Sequence, residues 1–243
     1  MNDFRDELYS RYSTTFQQQI CKLNDKSIHY VENKYKVQYL PLLKKYDKKI
    51  KILELGCGRG ILLKFLADNG FKNVFGIDIS EEQINIARQQ NLKVKQDDVF
   101  GFLNSNNEKY DLIFAIDIIE HFSKDELIHL VKGIYNSLDD NGAFIFHTPN
   151  GLGFNSNRII YGDLTHLTIL TPNSATQILK LAGFDHIEYF ETEPYAKNLN
   201  GAIRLILWKL IKFGLNIIRL VETLGSEKIL TQNFIGVAKK SRA

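Results

Sequence analysis

The sequence predicts an α/β fold built on a parallel sheet with helices on both faces. Three observations predict it. The stretch ILELGCGRG, residues 52 to 60, is a short apolar run ending in three alternate glycines, and the apolar-periodic ILLKFLADNG follows at once. Five strand-like segments then alternate with helical ones. Asp78, Asp98, Asp117, Glu120 and Asn150 all fall at or just beyond the ends of those strands, the edge at which such sheets bind ligands.

Taken in order, residues 1 to 46 precede the first strand. FRDELYSRYSTTFQQQI and IHYVENKYKVQYLPLLKKY read as helices with aromatic residues on one face, and Pro41 interrupts the second or starts a new one. Either these helices pack over one face of the sheet, or they cover the ligand mouth with Tyr9 and Tyr12. Strand one spans about 50 to 55, and the following helix ends near Asn69 with Gly70 as its cap. VFGIDIS is strand two and ends in Asp78. Ser80 opens the helix EEQINIARQQ, with Glu81 and Glu82 in its first turn. LKVKQDDVF supplies strand three, ending in Asp97 and Asp98. KYDLIFAIDIIEHF supplies strand four, with Asp117, Glu120 and His121 at or past its end.

Ser123 caps the next helix, Asn141-Gly142 turns the chain, and AFIFHTPN is strand five. Residues 150 to 170 form a long loop, a feature that is usually functional inside a compact domain. TPNSATQILKLAGF is a helix with Thr171 as cap, Pro172 first and Gly183 past its end. DHIEYFETE is strand six and TQNFIGVAKK the last strand. The expected organisation is one domain, 1–243: an N-terminal helical cap (1–46), a cofactor-binding core (47–193), a helical insertion (194–230) and the last strand (231–243).

Within the insertion, residues 201 to 224 are amphipathic at about 100° per residue. Arg204, Lys209, Lys212, Asn216 and Arg219 share one face, large apolar residues cover the other, and Gly214 is expected to break or bend the helix. The apolar face either packs on the sheet or on a second subunit of a homodimer, or lies on a membrane surface. The segment is too charged to span a bilayer. The polar, acidic N-terminus does not read as a signal peptide. Cys21 and Cys57 read as free thiols of a reducing compartment. The expected location is therefore cytoplasmic, with peripheral contact at the inner face of the membrane if the amphipathic helix engages it. A net charge of +3 is too small to argue for a nucleic-acid partner.

A dinucleotide fingerprint needs G-x-G-x-x-G. Here the third glycine, Gly60, comes one residue early and Ile61 takes its place. The pattern Glu54-x-Gly56-x-Gly58-x-Gly60, with Asp78 ending the second strand, resembles motif I of class I S-adenosylmethionine-dependent methyltransferases. That resemblance implies a Rossmann-like seven-stranded sheet of order 3-2-1-4-5-7-6 with the last strand antiparallel. It also implies S-adenosylmethionine as cofactor and S-adenosylhomocysteine as product. By the same resemblance Gly56, Gly58 and Gly60 let the backbone approach the cofactor. Asp78 holds the ribose diol with Ile79 beside the adenine. Asp98, followed by Val99, bonds the adenine amine, with Asp97 the competing choice. Asp117 and Ile118 lie at the methionine end.

Transfer from a sulfonium is an in-line displacement, so the protein must align the acceptor and, for a hydroxyl, remove its proton. An Asn-Pro-Pro-Tyr motif after strand four is absent, which argues against nucleobase and glutamine N-methylation. Asp117-Ile-Ile-Glu120-His121 resembles ubiquinone-biosynthesis-type O-methyltransferases. Thr148-Pro-Asn, followed by GDLTHLTILTP, resembles methyltransferases found with bacterial capsule and O-antigen glycan enzymes. Together these imply a small-molecule hydroxyl acceptor, first of all a carbohydrate of surface polysaccharide synthesis, with a quinone-type acceptor as the alternative. His166 is the first choice for general base because histidine titrates near neutrality. His121 is second, and Glu120 sits beside them.

Small-RNA 2′-O-methyltransferases offer another resemblance, in which Asp117, Glu120, His121 and His166 match a divalent-metal set. A metal is not part of the favoured reading. Glu120 and His121 could instead only cap the next helix, and His166 could only pack its loop. His147, Arg158 and Tyr161 are open to either a site or a scaffold role. A cofactor-binding but non-catalytic partner of a glycan enzyme is the alternative outside catalysis.

Overall fold

The computed structural model describes Leu8, residues 25–196 and residues 198–241. Tyr9 and Tyr12 lie outside the described residues. Seven strands form one sheet in the order β3-β2-β1-β4-β5-β7-β6. They are β1 (Lys51–Leu55), β2 (Asn73–Asp78), β3 (Val94–Gln96), β4 (Tyr110–Ile116), β5 (Leu138–Pro149), β6 (His186–Glu191) and β7 (Asn233–Lys239). The five strands from β3 to β5 pair in parallel, and β7 runs antiparallel to both β5 and β6. The carboxyl end of β6 therefore lies at the same edge as those of β1 to β5. The sheet order matches the one expected from the glycine motif.

Side chains alternate across the pleat, so neighbouring strand residues enter different cores. Leu53, Leu55, Ile113, Ala115, Phe144 and Phe146 face one core. That core is closed by α5 (Val99–Ser105), α6 (Lys124–Ser137) and α8 (Pro172–Ala182). Ile52, Leu112, Phe114, Ala143 and Ile145 face the other. It is closed by α1 (Asp25–Gln38), α2 (Leu40–Leu43), α3 (Ile61–Asp68) and α4 (Glu81–Gln89). Pro41 starts the short α2 rather than interrupting a long helix. Tyr39 and Leu43 are fully buried, and the Tyr39 ring meets Phe114 edge-on at 5.9 Å. The described part of the N-terminal segment thus packs over this face of the sheet.

Three local expectations change. Strand three stops at Gln96, because the Asp98 side chain turns back to cap α5, accepting from Gly101 N at 2.8 Å. The stretch from 150 to 170 contains the short helix α7 (Asn157–Ile160) and pairs with itself through an Asn150–Leu170 bridge. The insertion is a single helix, α9 (Leu199–Thr223), unbroken at Gly214, which meets no neighbour that a Cβ would touch. The apolar face of α9 does not pack on the sheet. Gly201 is its only fully buried residue, while Leu210 and Phe213 are 63% and 67% exposed.

Candidate active site

The cofactor half is built at the carboxyl ends of β1 and β2. Gly56 and Gly60 take left-handed backbone angles, φ +67° and +80°. A Cβ at Gly56 would lie 2.4 Å from the Ile118 Cδ1, so the loop after β1 sits against the chain leaving β4. The Asp78 carboxylate braces this loop. Its Oδ2 accepts from Gly58 N and its Oδ1 from Ser80 N, both at 2.8 Å. A carboxylate oxygen has two lone pairs, so each keeps one for a further donor. Burial pushes the Asp78 carboxyl up, and the two backbone donors pull it back. Next to it, Ile79 is 60% exposed, an apolar platform at the rim.

Glu54 is buried beneath the loop and accepts a hydrogen bond from the Leu63 backbone at the start of α3. Burial, and then the nearby Asp78, push its carboxyl well up, and its Oε2 has no partner among the described residues. Asp97 is occupied by Lys95 Nζ at 2.6 Å and by the Asp98 backbone N–H at 3.0 Å. Asp98 is exposed, and only its Oδ2 is engaged, by Gly101 N. Both Asp97 oxygens thus accept one bond each, whereas Asp98 accepts through Oδ2. Val99, the residue after it, is buried in the core below.

A second group of polar residues lies past the end of β4. Asp117 is held at φ +52°, a conformation that few non-glycine residues adopt and that often marks functional sites. Its N–H donates to the His147 carbonyl at 3.0 Å, and its Oδ1 meets His147 Nδ1 at 2.5 Å. The Asp117 side chain is 57% exposed. Burial opposes its ionisation, but the His147 imidazole prevails and holds its carboxyl below the usual range.

Glu120 and His121 belong to a 3-10 turn, Ile119–His121. The following helix α6 is capped by a Ser123–Glu126 capping box, so neither residue serves as its cap. Glu120 is 1% exposed and accepts from the Thr148 hydroxyl at 3.1 Å. Burial, and then Asp117, raise its carboxyl well above the usual range. Its backbone carbonyl accepts from both Leu167 N and Thr168 N, pinning the His166 loop over the turn.

Hydrogen bonds set both imidazoles. The Thr165 hydroxyl donates to Asp163 Oδ1 at 2.6 Å, so its oxygen accepts from His121 Nδ1 at 2.8 Å. His166 Nδ1 faces the Ile160 carbonyl at 3.2 Å and must donate to it. The two rings lie edge-on with centroids 4.9 Å apart. One potential ligand atom from each of Glu120, His121 and His166 lies within 4.8 Å of the others. Burial, and then His166, lower the pKa of His121.

The structure thus gathers Glu120, His121 and His166 in one cluster, leaves Asp117 outside it on His147, and sets Glu54, Asp78, Ile79 and Asp98 along the neighbouring strand ends. It also adds residues that the sequence did not single out. Thr148, Asp163 and Thr165 lay inside the quoted stretches; the Asp163–Thr165 bonds are local, but Thr148 reaches Glu120 and Thr165 reaches His121 across the fold. Lys34 of α1 reaches the field of Asp117, although its own burial lowers its pKa; nothing in the local sequence signals that. Arg158 and Tyr161 belong to α7 and its end, and the Tyr161 side chain is exposed. A separate cavity of about 480 Å³ between α5 and α6, lined by Phe100, Leu103 and His129 among others, contains none of these residues.

Residues 27–189 match a family model described as a methyltransferase domain. The chain belongs to this methyltransferase family. A ubiquinone biosynthesis O-methyltransferase of Rickettsia typhi is 27% identical over 133 residues, which cover 53% of this chain and 51% of that protein. A cyclopropane-fatty-acyl-phospholipid synthase of Escherichia coli is 24% identical over 60% of this chain and 38% of that enzyme. The chain thus spans about half or less of the length of these curated relatives. Among solved structures, a SAM-dependent methyltransferase from Archaeoglobus fulgidus superposes with a TM-score of 0.70 at 22% identity, covering 94% of this chain and all of that one. The names of the two curated relatives mention a quinone and a lipid, none of the three mentions a carbohydrate, and the carbohydrate acceptor expected from the loop sequence gains no support from them.

Proposed function

We propose that this methyltransferase moves a methyl group from S-adenosylmethionine to a hydroxyl of a small, quinone-type molecule. The observation that carries the proposal is the Glu120–His121–His166 cluster beside the end of β4, with both imidazoles oriented by their Nδ1 bonds. S-adenosylmethionine, when bound, supplies a methyl already activated on a sulfonium. Asp78 accepts from its ribose hydroxyls, Ile79 covers the adenine, and Asp98 accepts from the adenine amine. Asp117 stays ionised at the methionine end and favours the cationic side of the cofactor.

The protein's remaining work is to hold the hydroxyl in line with the methyl and to take its proton. His166 takes that proton at Nε2, because Nδ1 is committed to the Ile160 carbonyl. The resulting imidazolium faces the Glu120 carboxyl. His121 positions the acceptor from the other side of the cluster. The test is a panel of catechols, phenols, sugars and amines incubated with S-adenosylmethionine and read by mass spectrometry. Methylation of a ring hydroxyl is expected. Methylation of a sugar hydroxyl alone would return the acceptor to the carbohydrate class, and transfer only to nitrogen would overturn the hydroxyl chemistry.

A second reading rests on the same three side chains, whose donor types and spacing suit a divalent cation. Such an ion would orient the acceptor oxygen and lower its pKa. Chelator treatment separates the two readings. Proton removal by His166 alone predicts turnover unchanged by chelator. A metal role predicts loss of turnover with chelator and recovery on adding a divalent salt.

A further inference from the structure

Helix α9 is turned inside out relative to an ordinary surface helix. Its polar face points at the body: Lys212 Nζ reaches Glu191 Oε2 at 2.6 Å, and Asn216 bonds both the carbonyl and the N–H of Glu227. Its apolar face points away, with Ile206, Leu210, Phe213, Ile217, Leu220 and Val221 all exposed. At 100° per residue these six, with Ile203, Leu207, Ile211 and Ile218, which are exposed as well, cover an arc of about 180°, and the helix is about 37 Å long. These polar contacts orient the helix, so the exposure is built in rather than left by loose packing.

The occupant follows from the width and margins of this face. A helix from a second copy covers a stripe of only about 100°, and would leave both flanks of the arc wet. A bilayer surface covers the whole arc. Arg204 and Lys209 stand at its two margins, where long cationic side chains reach lipid phosphates. Four basic residues and one acidic residue, Glu222, lie in the helix. Among the described residues no helix is long and apolar enough to cross a membrane, so contact is in the interface plane.

We infer that α9 docks this methyltransferase onto an anionic lipid bilayer. The docking surface is tied to the site. The chain leaves the sheet at the carboxyl end of β6 and returns at β7, the edge that carries Asp78 and Asp117. The returning segment donates and accepts across to the loop that leads to His166: Phe154 N meets the Leu230 carbonyl at 2.8 Å, and Gln232 Nε2 meets the Asn155 carbonyl at 2.7 Å. A lipid-soluble acceptor would therefore meet the active-site edge from the membrane side.

The test is flotation of the full chain with vesicles of phosphatidylcholine containing phosphatidylglycerol, and with phosphatidylcholine alone. Binding to the anionic vesicles is expected, at least tenfold weaker for neutral ones. The double variant Leu210→Glu, Phe213→Glu is expected to lose binding at least tenfold while keeping its affinity for S-adenosylhomocysteine, which reports an intact core and does not depend on the acceptor. No binding by the unaltered chain would overturn the inference. So would a dimer in solution, abolished by the double variant, that binds no vesicle.

Discussion

Asp78→Ala is expected to weaken S-adenosylhomocysteine binding by roughly a hundred- to a thousand-fold, measured by calorimetry. Hydrogen bonds to a charged group contribute about 1.5–3 kcal/mol each, and in the proposed site both ribose hydroxyls donate to this one carboxylate. Two such bonds at the lower part of that range, about 3–4 kcal/mol together, set the expected loss at about 1.4 kcal/mol per tenfold. The substitution also frees Gly58 N and Ser80 N, which the carboxylate now holds at 2.8 Å, so the glycine loop loses its brace as well. Asp98→Ala serves as the internal comparison. It removes one exposed contact and a helix cap, and about a tenfold loss or less is expected. An Asp78→Ala chain that binds within threefold of the unaltered one would remove the cofactor site from the ends of β1 and β2.

His166→Ala is expected to lower kcat by about a hundred- to ten-thousand-fold, the usual worth of a positioned general base. Affinity for S-adenosylhomocysteine should stay within about twofold, because no described bond joins His166 to the glycine loop or Asp78. Turnover under saturating acceptor reads the first quantity and calorimetry the second. Equal losses in both would mean that the His166 loop shapes the cofactor site instead of handling the acceptor. Thr165→Ala is a milder companion. It removes the hydroxyl that relays Asp163 to His121 and so frees the ring to take its other tautomer. A smaller fall in kcat, with cofactor affinity kept, is the result that a positioning role for His121 requires.

The glycine loop and the strand ends were legible because their information is local. Alternating apolar residues, a glycine where a Cβ would meet Ile118, and an acidic residue at a strand end all leave their mark within a few positions. The sheet order came from the family resemblance that the glycine motif carries, and the structure has that order. Asp98 shows the limit of that reading. Its place after strand three was visible, but its use of one oxygen to cap α5, and the pairing of Asp97 with Lys95, depend on how the chain turns. The Asp117–His147 pair joins residues thirty apart in sequence, and Thr165 reaches His121 across forty-four. No periodicity encodes such pairs.

Helix α9 marks the same division. The sequence by itself determined that residues 201 to 224 form an amphipathic helix, because the 100° period sorts basic from apolar side chains. Which face turns inward depended on partners elsewhere in the chain: Glu191 at the end of β6 and the Glu227–Lys228 backbone hold Lys212 and Asn216. Those polar contacts leave the apolar face outside. The amino-acid order set what each element is and which edge of the sheet binds ligands. Only the tertiary structure decided which side chains meet there and which face of α9 is left exposed, because hydrogen-bond partners and burial are properties of distance in space.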